Sequence, residues 1–382
     1  MASADGVFDY IIVGGGIAGC TLASLLSKSK PSPSVLLIEA GPDVSNRPLT
    51  QAPVACFAAD GSDIDWNYKT VPQSHLDNRP LYEAGGKALV GGSATNYATW
   101  TRGSRFDYDR RAVSESSSNR KYPLRDQVLK AWLGLGLDKI ANANNGDPLG
   151  VGEMVESWKD GRRQLTSMAF DLTDVTVMTE ILSQTVLLEE QSGKLATKGV
   201  QFHDGRHFLA SKEVILSGEA FRTPQLLMLS GIGPAAELKK ENIPPQHIFH
   251  LGTRPSSDYP NYNAPSVATT LLRYGIRRLL KAVHNSMSDV VESENPPPPF
   301  EALAISSSDE AIDARVNSEA HTFFHAAGTA SMGSVLDTKL RVKGVSGLRV
   351  VDASVILLPI GARLQVAAYA IAAHAADLIG QE

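Results

Sequence analysis

The stretch Asp9-Tyr-Ile-Ile-Val-Gly14-Gly15-Gly16-Ile17-Ala18-Gly19 admits few folds. A short apolar run breaks into closely spaced glycines and then turns amphipathic, which reads as strand, tight turn, helix. Val13 ends a buried strand. Gly14 and Gly16 let the backbone turn and approach a pyrophosphate with no Cβ in the way, and Gly19 lets the helix press on the sheet. The helix N-terminus then offers unpaired N–H groups and a partial positive charge to a phosphate. Such glycines alone also suit a plain βα turn. The second signal gives them weight: Ser34-Val-Leu-Leu-Ile-Glu39 is another apolar run, ending in an acid where a carboxylate accepts hydrogen bonds from a ribose. Together they predict a right-handed βαβ unit that binds a dinucleotide.

Composition bounds what surrounds this unit. A chain of 382 residues, 43% hydrophobic, buries a large core and divides into two lobes. A net charge of -5 gives no electrostatic case for nucleic acid or for an anionic membrane surface. No apolar run approaches the roughly 20 residues that span a bilayer, and the start Met-Ala-Ser-Ala-Asp-Gly has neither a basic n-region nor an apolar h-region. The expectation is an intracellular, cytoplasmic protein. Cys20 on the first helix and Cys56 in a loop make no disulfide framework. His203 and His207 flank Gly205, which argues for a turn, so no metal site is expected.

Along the chain, 7–13 reads as strand, 17–29 as helix closed by Pro31 and Pro33, and 34–39 as the next parallel strand. Residues 40–84 are irregular. Gly85 to Gly103, with four early glycines and a run of small hydroxyl residues, suits a loop wrapped around something bulky. Helical spacing returns at 124–136. Residues 175–188 and 198–217 carry the β-branched content of strands, with Asp204-Gly205 as a hairpin signal. Gly218 to Pro234 reads as a turn feeding a short helix through Pro224 near its first position, stopped by Gly231. The tracts 114–118, 252–266 and 296–299 read as solvated loop or linker, and 269–291 as helix. A strand at Leu348 to Asp352 and a helix from Leu364 to Ile379 close the chain.

Five stretches, Gly14 to Gly19 with Glu39, Gly85 to Tyr108, Gly218 to Pro234, His325 to Gly333, and Gly347 to Asp352 with the following helix, resemble the glucose–methanol–choline oxidoreductases, specifically their fungal branch. The resemblance implies FAD, a role in secondary metabolism, and an α/β fold: a discontinuous Rossmann-like FAD-binding domain with a reduced α+β substrate-binding lobe. It assigns 1–105, 198–250 and 321–382 to the FAD domain, 251–320 to the reduced lobe, and 106–197 to a mixed segment. It places Gly14, Gly16, Ile17, Ala18 and Gly19 at the pyrophosphate and Glu39 with Ala40 at the adenosine ribose. Asn96, Tyr97, Ala98 and Thr99 fall near the flavin ring and ribityl chain, Asp352 with Ala353 at the phosphate and ribityl end, and Ser93, Leu364 and Gln365 are further cofactor-binding positions. Some members link the flavin covalently to a histidine just before that asparagine. Here the position is Thr95, so the expectation is non-covalent FAD. The family chemistry is hydride transfer from an alcohol carbon to flavin with a histidine removing the hydroxyl proton, and His325 matches. An imidazole with a pKa near 6.5 accepts a proton at neutral pH without strong tuning.

Two departures leave alternatives open. The family's second catalytic histidine or asparagine falls on Arg363, which cannot act as a base but holds an alkoxide, a carboxylate or an anionic flavin. The chain is also much shorter than is usual, with the deficit after Asp109 and around 252–266. One class of function is therefore oxidation of a small-molecule alcohol. A second follows versicolorin B synthase, a family member that closes a ring by dehydration. A third is an inactive FAD-binding homologue. The shortened lobe also leaves room for a homo-oligomer.

Overall fold

The computed structural model describes residues 5–51, 57–102, 124–153, 155–159, 162–248, 266–358 and 360–382. The expected loop at 114–118, nearly all of the 252–266 linker, and Cys56 lie outside them. Strands of the main sheet and the longer helices are numbered here in chain order. The sheet holds β1 (Gly6–Val13), β2 (Val35–Ile38), β3 (Thr176–Met178), β4 (Ser183–Gln191), β5 (Lys194–Phe202), β6 (His207–Leu216), β7 (Val345–Ser346) and β8 (Leu348–Val350). Its order is β4-β5-β6-β1-β2-β3, with β7 on β5 and β8 on β6.

The glycine-bearing strand is the middle of this sheet. Ile11 and Ile12 are fully buried, as a strand covered on both faces requires. β1 runs parallel to both β2 and β6, so the predicted βαβ pairing is present. The register matters for function: Val13 lies opposite Ile38 on one side and Leu216 on the other, while Leu216 lies opposite Val350. Four parallel strands therefore finish level, and the residues just past their ends, Gly14, Glu39, Ser217 and Val351, emerge along one edge. In an open α/β sheet that edge is where ligands bind.

Helix α1 (Ile17–Ser27) follows the turn and packs against the terminal helix α6 (Leu364–Gly380). A Cβ on Gly19 would stand 1.9 Å from the Gly14 carbonyl oxygen, which is why this position holds glycine. Two expectations need correction. Helix α3 runs Glu219–Leu229, so Pro224 lies inside it and not at its start. Proline has no N–H for the Ala220 carbonyl; Thr329 Oγ1 donates to that carbonyl instead, at 2.6 Å, tying α3 to the segment after His325. The 269–291 helix is α4, Ser266–Ser286, starting and ending earlier.

Away from the sheet, α4 packs on α2 (Arg125–Gly134) and α5 (Asp309–Glu319), with a small core of Ala131, Ala282 and Met287. Arg273 pairs with Asp309 and Asp313, and Arg277 with Asp309. Among the described residues no helix is long and apolar enough to cross a membrane.

Candidate active site

Two cavities open along the sheet edge and share a waist. The first is lined by Gly14, Glu39, Ala40, Trp66, Gln184 and Arg222. The second is lined by Ile17, Asn96, Tyr97, His325, Arg363 and Gln365. Gly16, Gly86, Ser217 and Glu219 line both. The whole is an elongated slot with the glycine turn at its middle, the shape a dinucleotide needs.

At the waist, Gly14 has φ +107° and a Cβ there would come within 2.3 Å of the Ser217 carbonyl oxygen. Gly16 precedes α1 with no side-chain cap and no acid in the first turn, so the helix leaves its N-terminal N–H groups for a ligand. In the first cavity the Glu39 carboxylate accepts from Gly15 N–H and Gly41 N–H, each at 2.8 Å. These bonds fix its orientation and leave lone-pair capacity for ribose hydroxyls. Burial pushes its carboxyl up to about 7, against the pull of the Gly41 and Gly15 donors. Glu39→Ala is expected to weaken FAD binding by about 1–3 kcal/mol, the scale of a hydrogen bond to a charged group, as read by fluorescence titration.

The second cavity carries the candidate chemistry. Phe323 meets the His325 ring edge-on at 5.2 Å, and the Arg363 guanidinium lies over the same phenyl ring at 5.4 Å. One aromatic side chain thus brings both onto a common wall, although they come from a loop and from the cap of α6. The Arg363 N–H donates to Thr101 Oγ1 at 3.1 Å. His325 is exposed to the cavity, and among the described residues no hydrogen bond engages its ring, unlike a core histidine with a satisfied partner. Burial, then the neighbouring Arg363 charge, holds its imidazole below the ordinary range, while solvent access screens both effects. Burial alone lowers Arg363, and among the described residues no carboxylate forms an ion pair with it.

The flanking residues divide into those that face the slot and those that hold it. Asn96 Oδ1 accepts from Ala98 N–H and from Arg163, both at 2.8 Å, and its amide donates to Gln365 at 3.2 Å, stapling the loop to α6. Tyr97 donates to Asp60 at 2.9 Å across the mouth. Ala18, Thr99, Ala353 and Leu364 line the second cavity. Gly19, Ser93 and Ala98 line neither cavity. Ser93 instead accepts from Thr166 Oγ1 and donates to the Val90 carbonyl beneath the loop. Asp352 is buried and its carboxylate accepts from Glu219 N–H (2.9 Å), Thr223 Oγ1 (2.6 Å) and Ser354 N–H (2.8 Å). It lines the second cavity and also sets the first turn of α3 against the slot.

Sequence reasoning missed Glu219, Phe323 and a stack in which Arg222 sits 3.7 Å over Trp66 and donates to Tyr68 at 3.0 Å. A charged residue between Gly218 and Ala220 was a visible signal; the Trp66 partnership, formed between distant segments, was not. The open helix pole, the Cβ-free turn and the anchored Glu39 fit an FAD. One side chain, Glu219 at the waist, is out of keeping with a diphosphate.

Models of the GMC oxidoreductase family match residues 110–254 and 253–372, and a lycopene cyclase model matches 9–59, the glycine-turn segment. The chain is 30% identical to the GMC-type oxidoreductase acuG of Aspergillus aculeatus, covering 97% of this chain and 99% of that one. That alignment runs over 521 residues, longer than this chain, so the relative carries stretches with no counterpart here. It is 32% identical to an alcohol dehydrogenase [acceptor] of Pseudomonas putida over 62% of this chain and 50% of the relative. Among solved structures, formate oxidase superposes with a TM-score of 0.86 at 22% identity, covering 100% of this chain and 99% of that one. Pyridoxine 4-oxidase from Mesorbium loti gives 0.83 at 20%, over 98% and 99%. With a relative matched along nearly all of both chains, a shared fold and the dinucleotide slot in place, the chain belongs to the GMC oxidoreductase family of FAD-dependent flavoproteins.

Proposed function

We propose that this protein oxidises an alcohol carbon, with His325 taking the hydroxyl proton and Arg363 holding negative charge on the substrate. The single observation that carries this is the shared wall of the second cavity, where the His325 imidazole meets Phe323 edge-on and the Arg363 guanidinium, with no carboxylate partner among the described residues, lies over the same ring. Bound FAD supplies the hydride acceptor. The chain supplies the rest: an imidazole whose proton-accepting form burial and Arg363 favour, and a fixed cation that stabilises the oxygen as its proton leaves. Asn96 and Gln365, bonded to one another, hold the floor of that cavity in one geometry. Thr95 lines the cavity where other members place a linking histidine, and a hydroxyl has no ring nitrogen, so FAD is held without a covalent bond.

The test is to load the protein with FAD and add neutral alcohols without oxygen, following loss of the oxidised flavin's absorbance. Bleaching is expected with at least one alcohol, and Arg363→His should slow it, because the fixed cation that stabilises the oxygen is exchanged for a mostly neutral ring. If no donor bleaches the flavin and the protein instead catalyses a ring-closing dehydration, the cyclase reading replaces this one.

A second reading is favoured by Arg363 itself: a cation in a cavity with no carboxylate partner among the described residues suits a donor that carries a carboxylate. Formate oxidase, by its name, acts on one. Faster bleaching by a 2-hydroxy acid than by the matching neutral alcohol, with the advantage lost in Arg363→Gln, is the outcome that selects this reading.

A further inference from the structure

We propose that Glu219 makes FAD binding proton-linked: its carboxyl stands at the place of the cofactor's diphosphate and takes up a proton as that group enters. The inference rests on the flavin-binding reading of the slot. Three observations carry it. Glu219 is the charged side chain shared by both cavities, at the waist where the glycine turn lies. Its Oε1 lies 3.5 Å from where a Cβ would stand on Gly16 and equally 3.5 Å from that point on Gly91, so it faces the open pole of α1. Its backbone sits at φ +64°, a left-handed conformation that disfavours a side chain, and Asp352 holds it there through the Glu219 N–H.

The charges around it do not relieve the conflict. Glu39 approaches from the end of β2 and Asp352 from the end of β8, and both are acids. Arg222, on its own helix, is committed to Trp66, Tyr68 and Gln225. Lys87 lies over the Trp66 ring, Asp60 is engaged by Tyr97, and His325 and Arg363 occupy the far wall of the second cavity. Burial, then Asp352 and Glu39, push the Glu219 carboxyl up to about 7. A diphosphate brought beside it raises it further, since like charges favour the neutral form. The sign follows from linkage. Binding takes up a proton wherever free Glu219 is ionised, so affinity is flat below about pH 7 and falls by up to about tenfold per pH unit above it. Glu39 acts in the opposite sense near pH 7, because a ribose favours its charged form, and is already ionised at pH 8.5.

The experiment strips flavin from the full chain and titrates FAD into wild type, Glu219→Gln and Glu219→Gly from pH 6 to 8.5. The expected affinity gain of Glu219→Gln is close to one at pH 6 and tenfold or more at pH 8.5, and Glu219→Gly gains at both ends. Should the variants fold poorly, wild type alone suffices: calorimetry at pH 8.5 in buffers of different ionisation enthalpy is expected to show uptake of close to one proton per FAD. A gain that does not grow with pH, no proton uptake, or binding at pH 8.5 abolished by a chelator overturns the inference; the last result makes a metal ion the neutralising group. If neither wild type nor variant takes up FAD at any pH, the flavin-binding reading falls, and this inference with it.

Discussion

Replacing His325 with alanine is expected to lower turnover by about 10²–10⁴-fold while FAD stays bound, the usual contribution of a positioned general base. Retained flavin absorbance with lost bleaching by substrate separates this from a folding defect. The pH profile adds a sharper check. Because burial and Arg363 both disfavour the imidazolium, the acid limb of kcat/KM is expected below the ordinary histidine value of about 6.5. Arg363→Gln removes the charge contribution and should move that limb upward. An unchanged rate in His325→Ala would leave His325 as a surface side chain and remove the base from the mechanism.

The second large effect is on stability, at the turn. Gly14→Ala places a Cβ 2.3 Å from the Ser217 carbonyl oxygen, at φ +107°, and Gly19→Ala places one 1.9 Å from the Gly14 carbonyl oxygen. Backbone atoms on both sides cannot swing away as a flexible side chain can. Strain and overpacking together are expected to cost about 2–6 kcal/mol, a large part of the roughly 5–15 kcal/mol that holds a typical domain. Gly61→Ala is the matched control. Its φ is also positive, at +68°, but nothing lies within 4 Å, so only the backbone cost of about 1–2 kcal/mol remains. Urea unfolding of the three variants measures the contrast, and equal midpoints for Gly61→Ala and Gly19→Ala would show that the turn yields more easily than its contacts imply.

What the sequence made legible follows the range of the forces involved. β1, α1 and β2 are governed by local pattern, apolar runs broken by glycine, and their bounds agree with the structure to within two residues. The start of α3 is not legible in this way: proline is locally a helix opener, whereas here Thr329, far along the chain, supplies the compensating donor. The site divides the same way. Glu39 stood at the end of a recognisable strand, and His325 and Arg363 were found through family resemblance; that Phe323 joins the two depends on tertiary packing, which neither periodicity nor spacing encodes. Ser93 sat within the right motif, yet its hydroxyl turns inward to Thr166. A motif identifies a segment, and only the backbone path decides which of its side chains face the ligand.

The level finish of the parallel strands has a consequence for how the molecule is made. β1 leaves the ribosome well before β6, at residues 207–216, with which it pairs, and β6 in turn before β8, at 348–350. The long delay leaves Ile11, Ile12 and their neighbours without their final cover while the intervening chain is made, a window in which sticky intermediates form and chaperones engage. A nascent chain halted before residue 348 is therefore expected to stay bound to chaperones, and release should come only once the last strand has been synthesised.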